Sequence, residues 1–296
     1  MTMNLFGKGS LFHFKRQAEI ISADSQAVYR HFDIGTAKPS LEERQLLAHH
    51  MIDICDPEEQ FGVGQFMERA DSLCSSIYQG NSIPVIVGGT GFYIRNFILG
   101  LPKTPESRPE VRAMVRQKLA DLGNQALHNE LELYDPVSAA KINVNDEYRI
   151  CRALEVYYST GIPLSACKLP DEPRKEYSFC TIILDRPRDE LYSRIDQRVD
   201  QMFDMGLEKE VQALVNMGYG MDTPAMKAIG YSEFFAGGAF MSLGIDAIRE
   251  KIKNDSHRYA KKQYTYMRGI PGAKIVPAED IGAVSGIVSS FMEENT

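Results

Sequence analysis

The sequence predicts an α/β protein in which a parallel sheet flanked by helices carries an inserted all-helical domain. Two observations in the 296-residue chain predict this fold. First, strand-like runs alternate with helical patterns, which is typical of a parallel sheet covered by helices. The four clearest runs are 18–22, 84–87, 180–184 and 274–276. Second, no strand-like run occurs between about 105 and 177, which predicts the helical insertion.

The first strand-like run ends close to an acidic residue. Residues 18–21 form a short, mainly apolar stretch, as expected of a strand buried on both faces. Asp24 follows the end of this strand, and ligands of open α/β sheets bind beyond the carboxyl ends of the strands. Asp24 is therefore a candidate functional residue. The alternative is that Asp24 and Ser25 only cap a turn, since Asp and Ser are common capping residues.

A pair of histidines precedes a further apolar run along the chain. His49 and His50 come directly before residues 51–54, which are strand-like in composition. We expect the two histidines to make packing or turn contacts there.

The predicted insertion contains four helical patterns separated by turn residues. Breaks are expected at Gly123, at Asp135-Pro136 and at Gly161-Ile162-Pro163, because glycine and proline end helices. The helical patterns are 110–122, 124–133, 136–142 and 146–159. A second helical array, 188–217 and 244–268, completes the core. The predicted domains are therefore 1–104 with 178–296 for the core and 105–177 for the insertion.

Composition and cysteine usage exclude several classes of protein. Hydrophobic residues make up 44% of the chain, enough for a sizeable core. No apolar run approaches the roughly 18 residues of a membrane span, and no signal-peptide core is present, so we expect a cytoplasmic protein without a membrane segment. The five cysteines form no C-x-x-C pair and the six histidines show no metal-ligand spacing. This argues against a zinc site and against a disulfide framework.

The net charge of −7 does not itself indicate a nucleic-acid partner. Binding to a phosphate backbone needs a local basic surface, and the chain contains two candidates. Arg108, Arg112 and Arg116 lie four residues apart and so share one helix face. The second group consists of Arg258, Lys261, Lys262 and Arg268. The alternative for both groups is an ordinary solvated helix face.

Seven segments, in order along the chain, carry a resemblance to a known family. Three of them read IISADSQAVYRHFDIGTAKPS at 20–40, HHMIDICDP at 49–57 and PVIVGGTGFYI at 84–94. The others read NDEYRICRALEVYYSTG at 145–161, RIDQRVDQMFDMGLEKEV at 194–211, AIGYSEF at 228–234 and HRYAKKQYTYMR at 257–268. Together they are similar to the tRNA dimethylallyltransferases over roughly residues 18–270.

The resemblance implies a P-loop NTPase-like core with a helical tRNA-binding insertion. It implies that the protein transfers a dimethylallyl group from dimethylallyl diphosphate to N6 of the adenosine 3′ of the anticodon in tRNA. Mg²⁺ is implied as a cofactor through the diphosphate, and a monomer is the expected state. Two other hypotheses stay open: a non-catalytic protein that binds the anticodon arm, and a nucleotide kinase of the same core fold.

Three residues match family positions that act in the transfer step. Asp24 is implied as the general base or hydrogen-bond acceptor for N6, and Thr90 as a contact near the transferred group. Arg198 is implied to stabilise the diphosphate, because a guanidinium binds phosphate oxygens two at a time. The alternatives are that Gly88-Gly89-Thr90 only forms a strand-to-helix turn, and that Arg194 and Arg198 make surface ion pairs.

The resemblance also assigns residues that contact tRNA, among them Tyr148, which offers a ring for stacking, and the two charges of Arg149 and Arg152. Ser232 departs from the family, which usually has a basic residue after Gly-Tyr. The implied tRNA-binding residues are Asp24, Ser25, Gln26, Ala27, Thr90, Arg112, Tyr148, Arg149, Ile150, Cys151, Arg152, Lys227, Ala228, Ile229, Gly230, Tyr231 and Ser232.

The phosphate-binding loop of the family, G-x-T-x-x-G-K-[ST], is incomplete near the N-terminus. Only Gly7 and Lys8 match it, so they are the implied diphosphate-binding residues besides Arg198, and residues 1–17 form a degenerate loop region. Gly9 stands where the hydroxyl ligand of Mg²⁺ is expected. Either the sequence carries a deletion or error in an ordinary enzyme, or the protein has lost most of its pyrophosphate site and has impaired activity.

Overall fold

The computed structural model describes residues 16–102, 107–167 and 170–295. These residues separate into two compact units, one within Met1–Ile98 and Lys175–Thr296 and the other within Leu99–Arg174. The boundaries predicted from the sequence, 104/105 and 177/178, lie a few residues further along the chain. Gly7 and Lys8, the predicted diphosphate-binding residues, lie outside the described residues.

The first unit contains a three-stranded parallel sheet with the order β2-β1-β3. Its strands are β1 (Ala18–Ser22), β2 (His49–His50) and β3 (Ile83–Val87). The central strand β1 pairs Ile20 with His49 on one side and Ala18 with Ile83 on the other. Its side chains are mostly buried, as expected of a strand with neighbours on both edges.

The short strand β2 lies earlier than the sequence predicted. The two histidines form the strand, whereas the apolar run 51–54 does not. The reason is the backbone, because Met51 and Asp53 have φ angles of 65° and 56°. Left-handed residues end an extended strand, so the chain turns away directly after His50.

A second sheet in the same unit consists of two parallel strands. These are β4 (Ile182–Asp185) and β5 (Lys274–Pro277), and Ile182 pairs with Lys274. The sequence predicted the strands but not this division, since among the described residues no hydrogen-bonded pairing joins β4 or β5 to the first sheet. Apolar runs indicate that a segment is extended; they do not specify its partner.

Three helices accompany the first sheet in the chain, two between its strands and one directly after β3. They are α1 (Leu41–Leu46), α2 (Val63–Gln79) and α3 (Gly91–Leu99). Helix α1 begins at a capping box, in which Ser40 accepts a hydrogen bond from the Glu43 amide and Glu43 accepts one from the Ser40 amide. Helix α2 packs Phe66, Ala70 and Ile77 into a core shared with Ile21 and Tyr93.

The second unit is helical in all its described regular elements. It contains α4 (Pro109–Tyr134), α5 (Pro136–Ala139), α6 (Glu147–Thr160) and a 3₁₀ turn at Leu164–Ala166. The break predicted at Gly123 is confirmed, because this residue has φ 77° and ψ 171°. Lys118 Nζ lies 2.7 Å from Glu130 Oε1, although a straight helix would separate these positions by about 18 Å. The chain therefore folds back at Gly123.

The remaining helices return to the first unit. They are α7 (Arg188–Asp204), α8 (Leu207–Asn216), α9 (Ile245–Met267) and α10 (Ile281–Glu294). The sequence predicted one helical array over 188–217, but Gly206, with φ 100°, separates α7 from α8. Short 3₁₀ turns at Pro224–Lys227 and Ser232–Phe235 connect α8 to α9. No helix among the described residues is long and apolar enough to cross a membrane.

Candidate functional site

The carboxyl ends of β1 and β3 are held together by three hydrogen bonds. The Ala23 amide donates to the Val87 carbonyl at 2.8 Å, and the Thr90 amide donates to the Ala23 carbonyl at 3.1 Å. The Ser25 amide donates to Thr90 Oγ1 at 3.0 Å. Asp24 and Thr90, which the sequence singled out separately, are therefore carried by two loops that are bonded to each other at one edge of the sheet.

The Asp24 carboxylate caps the turn that follows β1. Its Oδ1 accepts hydrogen bonds from the amides of Gln26, at 2.7 Å, and Ala27, at 3.2 Å. No other group in the described part of the chain donates a hydrogen bond to this carboxylate. Asp24 is half-buried, so capping fixes its orientation and leaves Oδ2 for another proton donor. The capping alternative and the functional hypothesis are therefore compatible.

Gly88 is required by the protein's own packing, and Gly89 lies against a side chain of α9. A Cβ at Gly88 would lie 2.1 Å from the Ala23 carbonyl oxygen, which is backbone and cannot move aside. A Cβ at Gly89 would lie 2.3 Å from Gln263 Nε2. The neighbouring loop therefore requires glycine at 88, whereas the end of the Gln263 side chain can shift to admit a Cβ at 89.

Thr90 lies next to two residues of α9, Tyr259 and Gln263. The sequence did not single out either of them. Gln263 Nε2 donates to the Gly89 carbonyl at 2.7 Å, and the Tyr259 hydroxyl lies against the Thr90 and Gln263 side chains. Burial, and then the charge of Asp24, raise the pKa of Tyr259, so its hydroxyl stays protonated at neutral pH. The signal available in the sequence was the spacing of four between Tyr259 and Gln263, which puts them on one helix face.

Arg198 lies on α7 with its side chain exposed. Within the described residues neither Arg194 nor Arg198 forms an ion pair, so the surface ion-pair alternative gains no support. No hydrogen bond or ion pair within 16–102, 107–167 and 170–295 joins Arg198 to Asp24 or Thr90. The predicted contact of Arg198 with the diphosphate stays a prediction.

The segment Lys227–Ser232, predicted to contact tRNA, has both exposed and buried members. Lys227 is exposed, and Ile229 and Ser232 are partly exposed. Tyr231 is fully buried in the core with Phe32 and Phe234. Any tRNA contact made by side chains of this segment therefore falls to its exposed members. Ala27, Ile150, Ala228 and Gly230 are also buried residues of the predicted set.

The helical unit presents an aromatic and basic surface of its own. Tyr148 is 76% exposed on α6, and it lines a pocket of about 140 Å³ with Arg149, Arg152 and Lys141. Arg112 is exposed on α4. Burial, and then nearby glutamates, raise the pKa of the half-buried Cys151 thiol, which favours its protonated form.

The described residues do not supply a metal site. No group of three His, Cys, Asp or Glu side chains in 16–102, 107–167 and 170–295 is placed to hold a metal ion. Residues 1–15 of the predicted degenerate loop region 1–17, including Gly9 at the expected Mg²⁺ ligand position, lie outside these residues. The expectation of Mg²⁺ as a cofactor stays a prediction.

Comparisons with known proteins agree on one family. A family model described as IPP transferase matches residues 27–270. The chain is 41% identical over 282 residues to a tRNA dimethylallyltransferase of Desulfatibacillum aliphaticivorans, covering 93% of this chain and 90% of that protein. It is 39% identical over 287 residues to the tRNA dimethylallyltransferase of Borreliella burgdorferi strain ZS7, covering 96% and 93%.

Solved structures of similar proteins give the same result. The tRNA isopentenylpyrophosphate transferase of Bacillus halodurans matches with a TM-score of 0.66 and 34% identity, over 94% of this chain and 89% of that one. A eukaryotic dimethylallyltransferase acting on tRNA matches with a TM-score of 0.74 over 92% of this chain and 70% of that one. At 24% identity, the second match supports the fold alone.

These matches define the class of protein as a prenyltransferase with a P-loop-like α/β core. Its helical insertion occurs in the same part of the chain that the sequence predicted to lack strands. The chain belongs to the IPP transferase family, whose relatives are named tRNA dimethylallyltransferases. The family resemblance, fold class and enzyme class predicted from the sequence are confirmed.

Proposed function

We propose that this protein transfers a dimethylallyl group from dimethylallyl diphosphate to N6 of the adenosine 3′ of the anticodon in tRNA. Family membership gives the reaction class. The observation that carries the proposal is the carboxyl edge of β1 and β3, where the Ser25 amide bonds Thr90 and the Asp24 carboxylate is held by two amides. A carboxylate fixed at a sheet edge suits proton transfer from an amine.

In the proposed reaction, a bond forms between N6 and the allylic carbon while the bond from that carbon to the diphosphate oxygen breaks. The N6 proton passes to Asp24 Oδ2, and the electron pair of the broken bond leaves with the diphosphate. Thr90, beside Asp24, contacts the substrate near the transferred group. Arg198, Gly7 and Lys8 hold the diphosphate in this proposal, and Mg²⁺ would neutralise part of its charge.

Recognition of tRNA is assigned to separate surfaces in this proposal. Tyr148 offers a ring for stacking an unpaired base, and Arg149 and Arg152 offer charges for phosphates. Arg112 on α4 and Lys227 in the core unit add further basic contacts. The target adenine leaves its stack to reach Asp24, as base-modifying enzymes require. The protein acts as a monomer in the cytoplasm, where its tRNA substrate is.

The test is a prenyl-transfer assay and a tRNA filter-binding assay on the same protein preparation, with Asp24→Asn as the variant. An asparagine keeps an oxygen that accepts hydrogen bonds from the Gln26 and Ala27 amides, so the turn stays capped. It loses the basic carboxylate, so transfer should fall about 10²- to 10⁴-fold while tRNA binding is kept.

Asp222→Asn, at an exposed position, is the matched control and should leave both assays unchanged. If Asp24→Asn kept full transfer activity, Asp24 could not be the group that accepts the N6 proton. Tight tRNA binding by the unmodified protein with no transfer would favour the alternative of a non-catalytic anticodon-arm-binding protein.

A further inference from the structure

We propose that Glu210, on α8, is a positioning residue that fixes residues 32–35 relative to Lys227–Ser232. Residues 32–35 follow the predicted tRNA contacts at 24–27, and Lys227–Ser232 is itself a predicted tRNA contact. This inference rests on the proposed function, because it concerns the surface that would receive the tRNA. Glu210 itself touches neither substrate.

A single carboxylate collects four hydrogen bonds from two distant parts of the chain. Glu210 Oε2 accepts from the amides of Asp33, at 3.1 Å, and Ile34, at 2.8 Å. Its Oε1 accepts from the Gly35 amide at 3.2 Å and from the Tyr231 hydroxyl at 2.7 Å. Hydrogen bonds to a charged acceptor are among the strongest that a protein makes.

The two segments are also packed directly against each other at this carboxylate. The rings of Phe32 and Tyr231 have centroids 4.7 Å apart. A Cβ at Gly35 would lie 2.6 Å from the Tyr231 ring, so only glycine fits at that position. Gly230 has φ 99°, a left-handed conformation that glycine adopts without strain. Both glycines therefore serve the same contact as Glu210.

Burial makes the Tyr231 hydroxyl a permanent donor to Glu210. Tyr231 is fully buried, and burial followed by the charge of Glu210 raises the pKa of its hydroxyl. The hydroxyl therefore keeps its proton across the physiological range, and the carboxylate remains the acceptor.

The segment that Glu210 holds is continuous with the one that carries Asp24. Lys38, whose side chain is 2% exposed, closes the far end of this segment through hydrogen bonds to the Tyr29 carbonyl and the Asp33 and Asp53 carboxylates. Val28, Tyr29 and Phe32 belong to the same core cluster as Tyr231. Glu210 thus fixes the segment that follows Asp24 to the segment that begins at Lys227 before tRNA binds. Less conformational entropy is then lost when tRNA binds.

The test measures tRNA affinity in Glu210→Gln and Tyr231→Phe, with Glu208→Gln as the matched control on an exposed face of the same helix. A glutamine has one oxygen acceptor, so its amide nitrogen would face a backbone N–H or the Tyr231 hydroxyl. We expect Glu210→Gln to weaken tRNA binding about tenfold and to raise KM for tRNA similarly. The KM for dimethylallyl diphosphate should stay unchanged, and Tyr231→Phe should show a smaller effect of the same kind.

A purely structural role predicts a different pattern, because unfolding removes both substrate sites at once. Equal losses for tRNA and dimethylallyl diphosphate, or unchanged tRNA binding in a folded variant, would overturn the proposal. If Glu210→Gln does not fold, Tyr231→Phe, which removes one bond of four, decides the question. Equilibrium tRNA binding needs no transfer, so an inactive unmodified protein would count against the proposed function and not against this role of Glu210.

Discussion

Position 88 accepts no side chain larger than a hydrogen atom. The Ala23 carbonyl oxygen would lie 2.1 Å from any Cβ placed there, and that carbonyl already accepts the Thr90 amide. The loop after β3 can therefore approach the loop after β1 only through glycine. This single contact therefore sets the distance between the backbone of Thr90 and the backbone of Ala23, the residue before Asp24.

We predict that Gly88→Ala destabilises the protein by about 3 kcal/mol, because the strands must separate to admit a methyl group. Transfer should fall with it, since Thr90 moves away from Asp24. Gly64→Ala is the control, because a methyl group at Gly64 in α2 would have no other atom within 4 Å, and alanine favours helices. Chemical denaturation gives the free energy of unfolding of both variants. Equal values for the two would show that the close contact at Gly88 does not limit stability.

At the scale of residues, the sequence singled out Asp24 from its place after β1 and Thr90 from the family resemblance. Their approach to one another is observed in the hydrogen bond from Ser25 to Thr90. Glu210, Tyr259 and Gln263 were not predicted. Each lies on a helix far along the chain from the loop that it contacts, and no local pattern reports a contact at such a separation.

At the scale of elements, the fold-back of α4 is stabilised by a polar cluster of three residues. Lys118 Nζ donates to Glu130 at 2.7 Å and to the Tyr158 hydroxyl at 2.9 Å, and that hydroxyl donates to Glu130. Burial alone would raise the pKa of Glu130, but the hydrogen bonds from Lys118 and Tyr158 outweigh it and lower that pKa. The hydrogen bond to Glu130 raises the pKa of Lys118.

These directions predict how the stability of the protein depends on pH. Because the pKa of Glu130 is lower in the folded state, this carboxylate stabilises the protein fully above pH 4.5, the ordinary pKa of a glutamate. The stabilisation is lost as the pH falls below that value. Because the pKa of Lys118 is higher in the folded state, its ammonium group stabilises the protein fully below pH 10.5, the ordinary pKa of a lysine. That stabilisation is lost as the pH rises above this value. Both side chains are partly exposed, so the pair contributes no more than about 1 kcal/mol.

We therefore expect Glu130→Gln to be less stable than the unmodified protein between these two pH values. Below about pH 4.5 the difference should shrink, because the carboxylate of the unmodified protein becomes protonated. Thermal unfolding followed from about pH 3 to about pH 8, in steps of about one pH unit, checks the sign. Glu132→Gln is the control on the same helix, and a pH-independent difference for Glu130→Gln would contradict the assignment.

Elements such as β1, β3, α4 and α9 were predicted, and the pairing of β4 with β5 in a separate sheet was not. Both α4 and α9 follow from period and from glycine or proline boundaries, which are local. The separation of β4 and β5 from the first sheet depends on which backbone groups find each other, and strand composition does not encode that. The left-handed Met51 and Asp53, which end β2, also break the usual preference of non-glycine residues.

At the scale of the whole molecule, a net charge of −7 coexists with a predicted RNA partner. The proposal requires that local basic groups, and not the total charge, carry the affinity. Arg112, Arg149 and Arg152 in the helical unit are the candidates. Since each phosphate contact releases bound counterions, tRNA affinity should fall steeply with salt.

We predict that Arg112→Gln lowers the slope of log K against log salt concentration by about 0.7, the value of one phosphate contact on a single strand. The protein should remain as stable as before, because Arg112 is exposed on α4. Lys209→Gln removes one exposed charge from α8 and serves as the control for net charge. An identical slope in both variants would exclude Arg112 as a phosphate contact.

The fold-back at Gly123 also bears on the order in which the chain acquires structure. Lys118 and Glu130 are 12 residues apart, whereas Ser25 and Thr90, which join the loops after β1 and β3, are 65 apart. Closing a short loop costs less chain entropy than closing a long one, and local contacts form faster than distant ones. We therefore expect the helical hairpin to form before the sheet edge that carries Asp24 is completed.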